Sequence, residues 1–344
     1  MNREIRPLTG IRGIAACWVV ACHWAGSELT GLGQDIALHG YAAVDLFMIL
    51  SGFVLAINQQ RWSGLGAFVW QRFSRLYPLY ALTTFVSLME IRAFYQGPFQ
   101  PGGPAILSNF LMTTTNLWNV DAINGPSWSI SIEFTLNLFF PLFVLLCLRS
   151  SQRWSIVVAG ICAVALVSVS ILDHRLNGGV AGGLGTLDNR LLYLRCGPEF
   201  ALGMLCWRLC NEAPWSALFG RAGVLCPLLI AMMAMTPFKA LDLPFVAASC
   251  ALVIGLSVER SRVAAIFGTP VLHWLGTISF SLYLWHAPFL ALRPVLAGAL
   301  GIADPTLTLM AANTLNLCLV LAASTLSYHW FEVPVRRWLR TLGH

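Results

Sequence analysis

Seven residues of this chain could do chemistry in places where apolar sequence makes them costly. His23 and His286 carry imidazoles, which take and pass protons near neutral pH. Asp45 and Glu133 are carboxylates within or beside apolar runs, and Arg12, Arg72 and Arg75 are permanent cations. An imidazole with a carboxylate suits general-base or nucleophilic catalysis, and guanidinium forks suit phosphate. Arg12 and His23 stand eleven positions apart in GIRGIAACWVVACHWAG. A helix turning about 100° per residue puts both on one face, roughly 16 Å apart along the axis. A cation at one end and a titratable ring deeper in is expensive in lipid, so the pair is a candidate functional site.

Each of the other residues has a plainer reading beside the chemical one. Asp45, in YAAVDLFMILSGFVLA, could be one half of a structural ion pair, and the adjoining Ser51-Gly52 allows close helix packing. Arg72 and Arg75, in WQRFSRLYPLY, are neighbours on a helix face; the spacing fits either phosphate binding or anchoring at the cytoplasmic surface. Glu133 could pair with Arg190 or Arg195, while Arg195 and Glu199 read as a structural i,i+4 pair. Trp128 suits the membrane interface, and Ser127 or Ser129 could cap the helix that Glu133 enters. His286 precedes Pro288 and could be a packing residue. Trp128, Ser129 and His286 are the candidates for binding substrate.

The elements that hold these residues are set by composition. Of 344 residues 57% are hydrophobic and 10% charged, and the mean hydropathy is +0.71. Soluble domains carry about a quarter charged residues, so this is a membrane protein by composition. Ten apolar segments are expected to span as helices: 8–26, 41–58, 74–94, 130–148, 154–172, 190–210, 222–236, 244–258, 271–293 and 306–328. The piece at 104–118 is too short to cross and is expected to be interfacial or re-entrant. Residues 24–40, 95–129 and 173–189 read as outer loops. No internal repeat is evident, and residues 1–344 are expected to form one domain.

Orientation follows from the arginines. With the N-terminus in the cytoplasm, the outer basic residues are Arg92, Arg175, Arg190, Arg195, Lys239 and Arg293, which leaves 15 of the 21 inside. Ten spans then put both termini in the cytoplasm. This bias accounts for most of the net charge of +6, so the basic balance is no argument for nucleic acid. The start MNREIRPLTG runs into the first apolar span without a cleavage site, so that span is expected to be retained. Ten cysteines include no C-x-x-C pair, and no metal site is expected.

Six blocks in order resemble the integral-membrane acyltransferase-3 family. They are Arg12-x10-His23, VDLFMILSGF at 44–53, RFSRLYP at 72–78, PSWSISIE at 126–133, SFSLYLWH at 279–286 and YHWFEVPVRR at 328–337. The resemblance implies transfer of an acetyl or longer acyl group from cytoplasmic acyl-CoA to a hydroxyl of a carbohydrate or lipid-linked glycan, in a bacterial inner membrane. It implies His23 and Arg12 as the essential pair, and Arg72 and Arg75 on the donor side. Family members often follow the Glu133 position with a second acidic residue or Gln and then aromatics, whereas this chain reads Phe134-Thr135-Leu136-Asn137. The end of the chain soon after Arg340 carries the further expectation of no fused hydrolase-like domain.

On this reading His23 acts as general base or transient acyl carrier, with Asp45 or Glu133 orienting its ring. Arg72 and Arg75, with Arg12, hold the phosphates of acetyl-CoA, which serves as donor substrate rather than a resident cofactor. The rival from another class is a proton-coupled secondary transporter relaying protons through Asp45, Glu133 and His23.

Overall fold

A computed structural model describes residues 4–24, 29–59, 64–94, 100–114, 120–185, 188–212, 215–258, 261–301 and 304–343. The described residues form helices, turns and short connections, without a strand. In chain order the principal helices are α1 (Arg6–Trp24), α2 (Leu32–Leu38), α3 (Ala43–Asn58), α4 (Leu65–Phe94), α5 (Gly103–Phe110), α6 (Trp128–Leu138) and α7 (Gln152–Asn177). They continue as α8 (Asn189–Glu212), α9 (Ala222–Met235), α10 (Asp242–Ser257), α11 (Pro270–Leu300), α12 (Pro305–Ser327) and α13 (Val333–Leu342). Over their described residues, all ten expected apolar segments are largely helical.

Fewer of them qualify as membrane spans by length and hydropathy alone. Leu32–Asn58, Gln152–Asn177, Lys239–Ser257, Pro270–Leu300 and Leu307–Leu342 pass, and the bent pair Gly125–Leu138 and Phe140–Leu148 makes a sixth. The others fall short for visible reasons. α4 and α8 carry several charged residues, and α9 has only 14 residues. The 64° bend in the pair has its cause in Pro141, which lacks an N–H and crowds the carbonyl four residues back. Residues 24–40, expected as a loop, contain α2 and the 3₁₀ turn His39–Ala42. Once Gly31 has turned the chain at φ 59°, the run LGQDIAL has enough helix formers to continue into α3. Of the tallied arginines, Arg3, Arg61 and Arg260 lie outside the described residues, as does the side chain of Arg190.

Helix ends obey local rules. Ser151 caps α7 by accepting the Trp154 amide at 3.3 Å, and Gly178 ends that helix in the left-handed conformation at φ 69°. Asp304 caps α12 by accepting the Leu307 amide at 2.9 Å, with Pro305 in the first turn.

The chain divides into two compact units. The first comprises residues 1–65 and 135–277, and α3 against α8 forms its centre. A Cβ on Gly203 would sit 2.0 Å from the Ile49 carbonyl oxygen, and one on Gly52 would sit 2.0 Å from that of Phe200. Only glycine lets two backbones approach so closely, the use foreseen for Ser51-Gly52. α1 is seated in the same way, since a Cβ on Gly13 would lie 2.6 Å from the Gly276 nitrogen.

The second unit comprises residues 66–134 and 278–344. Its buried centre includes Leu76, Leu79 and Tyr80 of α4, Ile132 of α6, and Ile278, Leu282 and Leu284 of α11. The Tyr80 hydroxyl donates to the Asn109 carbonyl at 2.9 Å. Asn109 in turn accepts the Ile123 amide at 2.8 Å and donates to the Asp121 carbonyl at 3.2 Å, which ties the segment before α6 to α5.

Candidate active site

In the first unit α1 carries Arg12, half-buried, and His23, near its last turn. His23 Nδ1 lies 2.9 Å from the Val19 carbonyl oxygen, one turn back. A carbonyl can only accept, so Nδ1 carries the proton and the neutral ring has its lone pair on Nε2. A ring held this way is a base at Nε2. Its tautomer is fixed by the helix backbone itself.

Asp45, at the start of α3, is fully buried and meets α8. Arg195 Nε and Nη2 each lie 2.7 Å from Asp45 Oδ1, and Nε lies 3.8 Å from Glu199 Oε1. Arg195 is 1% exposed, and Asp45 and Glu199 are both 0% exposed. The structural ion pair weighed for Asp45 is therefore present. The expected Arg195–Glu199 pair is also present, but at longer range than the bond across to Asp45. A guanidinium shared by two buried carboxyl groups locks α3 to α8 and rewards burial only while the set is complete.

In the second unit Arg72 and Arg75 part company. Arg72 is buried and donates from Nη2 to Glu133 Oε1 at 3.0 Å. Arg75 is half-buried, three residues on. At about 100° per residue the two sit some 60° apart around the helix, enough for their burial to differ. The described partner of Glu133 is Arg72 of α4. Arg72 thus holds a carboxylate through one arm of its guanidinium.

A second set of bonds joins Ser129 to Tyr283, which also contacts His286. The Tyr283 hydroxyl donates to the Pro126 carbonyl at 2.9 Å and lies 2.7 Å from Ser129 Oγ. Ser129 thus bonds across to α11 instead of capping α6. His286 is fully buried, and its Nδ1 lies 2.7 Å from the Tyr283 carbonyl oxygen. The same logic as for His23 puts the proton on Nδ1 and the lone pair on Nε2. Trp128, half-buried, begins α6 at the edge of this set.

Asn124 completes the arrangement. Pro288 has no N–H, so the carbonyl four residues earlier, on Leu284, loses its helical donor. Asn124 Nδ2 supplies it at 2.9 Å from 160 positions away. Sequence reading missed Asn124 and Tyr283 as site residues. The signal for Asn124 was Pro288 itself, which demands an outside donor from somewhere in the chain.

A family model described as an acyltransferase domain matches residues 6–330. Acyltransferase MdmB of Streptomyces mycarofaciens is 28% identical, over 87% of this chain and 83% of its own length. Exopolysaccharide production protein ExoZ of Rhizobium meliloti is also 28% identical, over 87% of this chain and 90% of its own length. Peptidoglycan O-acetyltransferase OatA of Listeria monocytogenes is 27% identical over 98% of this chain, which spans only 56% of that protein. No solved structure matches the chain.

Proposed function

Because the chain belongs to the integral-membrane acyltransferase-3 family, we propose that it moves an acyl group, acetyl in the simplest case, from cytoplasmic acyl-CoA to a hydroxyl of a carbohydrate or lipid-linked glycan. Relatives named for peptidoglycan O-acetylation and exopolysaccharide production support the glycan as acceptor. The ten-span topology with cytoplasmic termini and the inner-membrane location belong to this proposal, supported by the bias of 15 of 21 basic residues toward one side.

The observation that carries the proposal is His23 with Nδ1 2.9 Å from the Val19 carbonyl oxygen, a contact that makes Nε2 the basic nitrogen of the neutral ring. In the transfer step Nε2 takes the proton of the acceptor hydroxyl as its oxygen attacks the thioester carbonyl. The new C–O bond forms, the C–S bond breaks, and the imidazolium returns the proton to the CoA thiolate. In the covalent variant Nε2 itself attacks the thioester carbonyl and the C–S bond breaks to release the CoA thiolate; the acceptor oxygen then takes the acyl carbon as the N–C bond breaks, and the hydroxyl proton passes to the thiolate. Arg12, on the face of α1 that carries His23, serves the donor's anionic groups together with Arg72 and Arg75, and Arg72 also holds Glu133 in place. Asp45 acts as a positioning residue through Arg195. Trp128, Ser129 and His286 are the acceptor side, with Tyr283 and Asn124 fixing their geometry.

The test is CoA release and acceptor acylation by the purified protein. His23→Ala is expected to lower turnover by about 10²- to 10⁴-fold, the scale of general-base catalysis. Full activity in that variant would refute the assignment. Substrate uptake into vesicles without CoA release would favour the transporter reading instead. An acyl adduct on His23 in rapidly quenched enzyme would select the covalent route.

A further inference from the structure

The C-terminal helix α13 lies beyond the last residue matched by the family model, residue 330. It reads VPVRRWLRTL and follows the π-helical turn Tyr328–Glu332. It is held against the start of α4 within the second unit. Trp70 Nε1 donates to the Leu339 carbonyl at 2.8 Å. A Cβ on Gly343 would come within 2.1 Å of the Trp70 ring, so the backbone there touches the indole. Helical spacing puts residues 336, 339, 340 and 343 along one side, the side that meets Trp70.

That side carries Arg336 and Arg340. Arg340, an exposed residue one turn beyond Arg336, feels the like charges of Arg336 and of Arg75 on α4. The carboxylate described nearest to Arg336 is Glu332, with Oε1 3.7 Å from Nη1, and its other oxygen accepts the Ser281 hydroxyl at 2.9 Å. Three cations are thus gathered on two helices, and the carboxylate described beside Arg336 is already shared. Like charges so placed oppose one another, and an anion reverses the sign of that term.

Two sources of phosphate could meet this surface: a lipid headgroup or a soluble donor. The helix geometry separates them. Trp338, 60% exposed, lies about 200° around the helix from Arg336 and as far from Arg340. An exposed tryptophan marks the side turned to the bilayer interface, so the two arginines face the other way, toward α4. From this we infer that Arg336 and Arg340 join Arg75 in one surface that binds the phosphate groups at the nucleotide end of the acyl-CoA donor. This rests on the donor role given to Arg75 above and adds to it a helix that no assigned role covers.

The experiment measures binding of acetyl-CoA and of acetyl-3′-dephospho-CoA to the full chain in nanodiscs, by calorimetry, for wild type and for Arg75→Gln, Arg336→Gln and Arg340→Gln. Each substitution is expected to weaken acetyl-CoA binding by roughly three- to tenfold, the worth of a partly exposed charge-assisted bond, with a smaller loss for the analogue that has fewer phosphates. Arg340→Lys is expected to keep much of the affinity, and unchanged melting of each variant separates lost binding from lost folding. If Arg75→Gln weakens binding and both α13 variants match wild type, the α13 surface is refuted and the donor role of Arg75 stands. If none of the three weakens binding, the donor reading itself fails. If the α13 variants lose affinity only when the nanodisc contains anionic lipid, the surface belongs to headgroups and the inference is overturned.

Discussion

Replacing Arg195 by Met tests the claim that α3 and α8 are joined by one shared cation. The wild-type guanidinium is 1% exposed, has two nitrogens 2.7 Å from Asp45 Oδ1, and adjoins Glu199. Arg195→Met leaves the buried Asp45 and Glu199 together without the cation they share. Removing one partner of a buried ion pair costs about 3–5 kcal/mol. At about 2 °C per kcal/mol for a chain of this size, the melting midpoint is expected to fall by about 6–10 °C. The 13 tryptophans make intrinsic fluorescence of the purified protein in detergent a direct readout. Converting the whole cluster, with Asp45→Leu and Glu199→Leu added to Arg195→Met, removes the stranded charges and is expected to recover most of the loss. The second arm concerns Asp45 alone. Asp45→Asn is expected to lower the midpoint while molecules still folded turn over acetyl-CoA. An Arg195→Met midpoint within about 2 °C of wild type would remove the ion-pair account. Abolished turnover in a fully stable Asp45→Asn protein would return Asp45 to the chemical step.

Two further outcomes follow from the packing. Asn124→Ala leaves the Leu284 carbonyl without its described outside donor and is expected to cost about 1–3 kcal/mol. Pro288→Ala restores an N–H to that carbonyl, so the double variant is expected to be less destabilised than the sum of the singles; strict additivity in a melting cycle would contradict the pairing. Gly203→Ala forces a Cβ to within 2.0 Å of the Ile49 carbonyl oxygen and is expected to cost about 1–3 kcal/mol or more, read as a lower midpoint. Gly223→Ala, where a Cβ meets nothing within 4 Å, is the control expected to leave the midpoint unchanged or raised.

Local periodicity determined much of this protein. Hydropathy placed ten helical segments, turn and capping residues such as Ser151 and Asp304 ended them, and the eleven-residue step put Arg12 and His23 on one face. Those features depend on residues within a few turns of one another, which is why a single chain read in order reveals them. The partners did not follow from it. Arg195 reaches Asp45 across 150 positions, Arg72 reaches Glu133 across 61, and Asn124 reaches Leu284 across 160. A helix face says in which direction a side chain points, and an apolar chain offers several helices in that direction. Only the tertiary packing decides which helix arrives there. Glycine contacts set that packing at Gly52 and Gly203, and the need to satisfy each buried charge and carbonyl selects among the neighbours they allow. So Arg72 of α4 meets Glu133 of α6, and Arg75 is the less buried member of its pair.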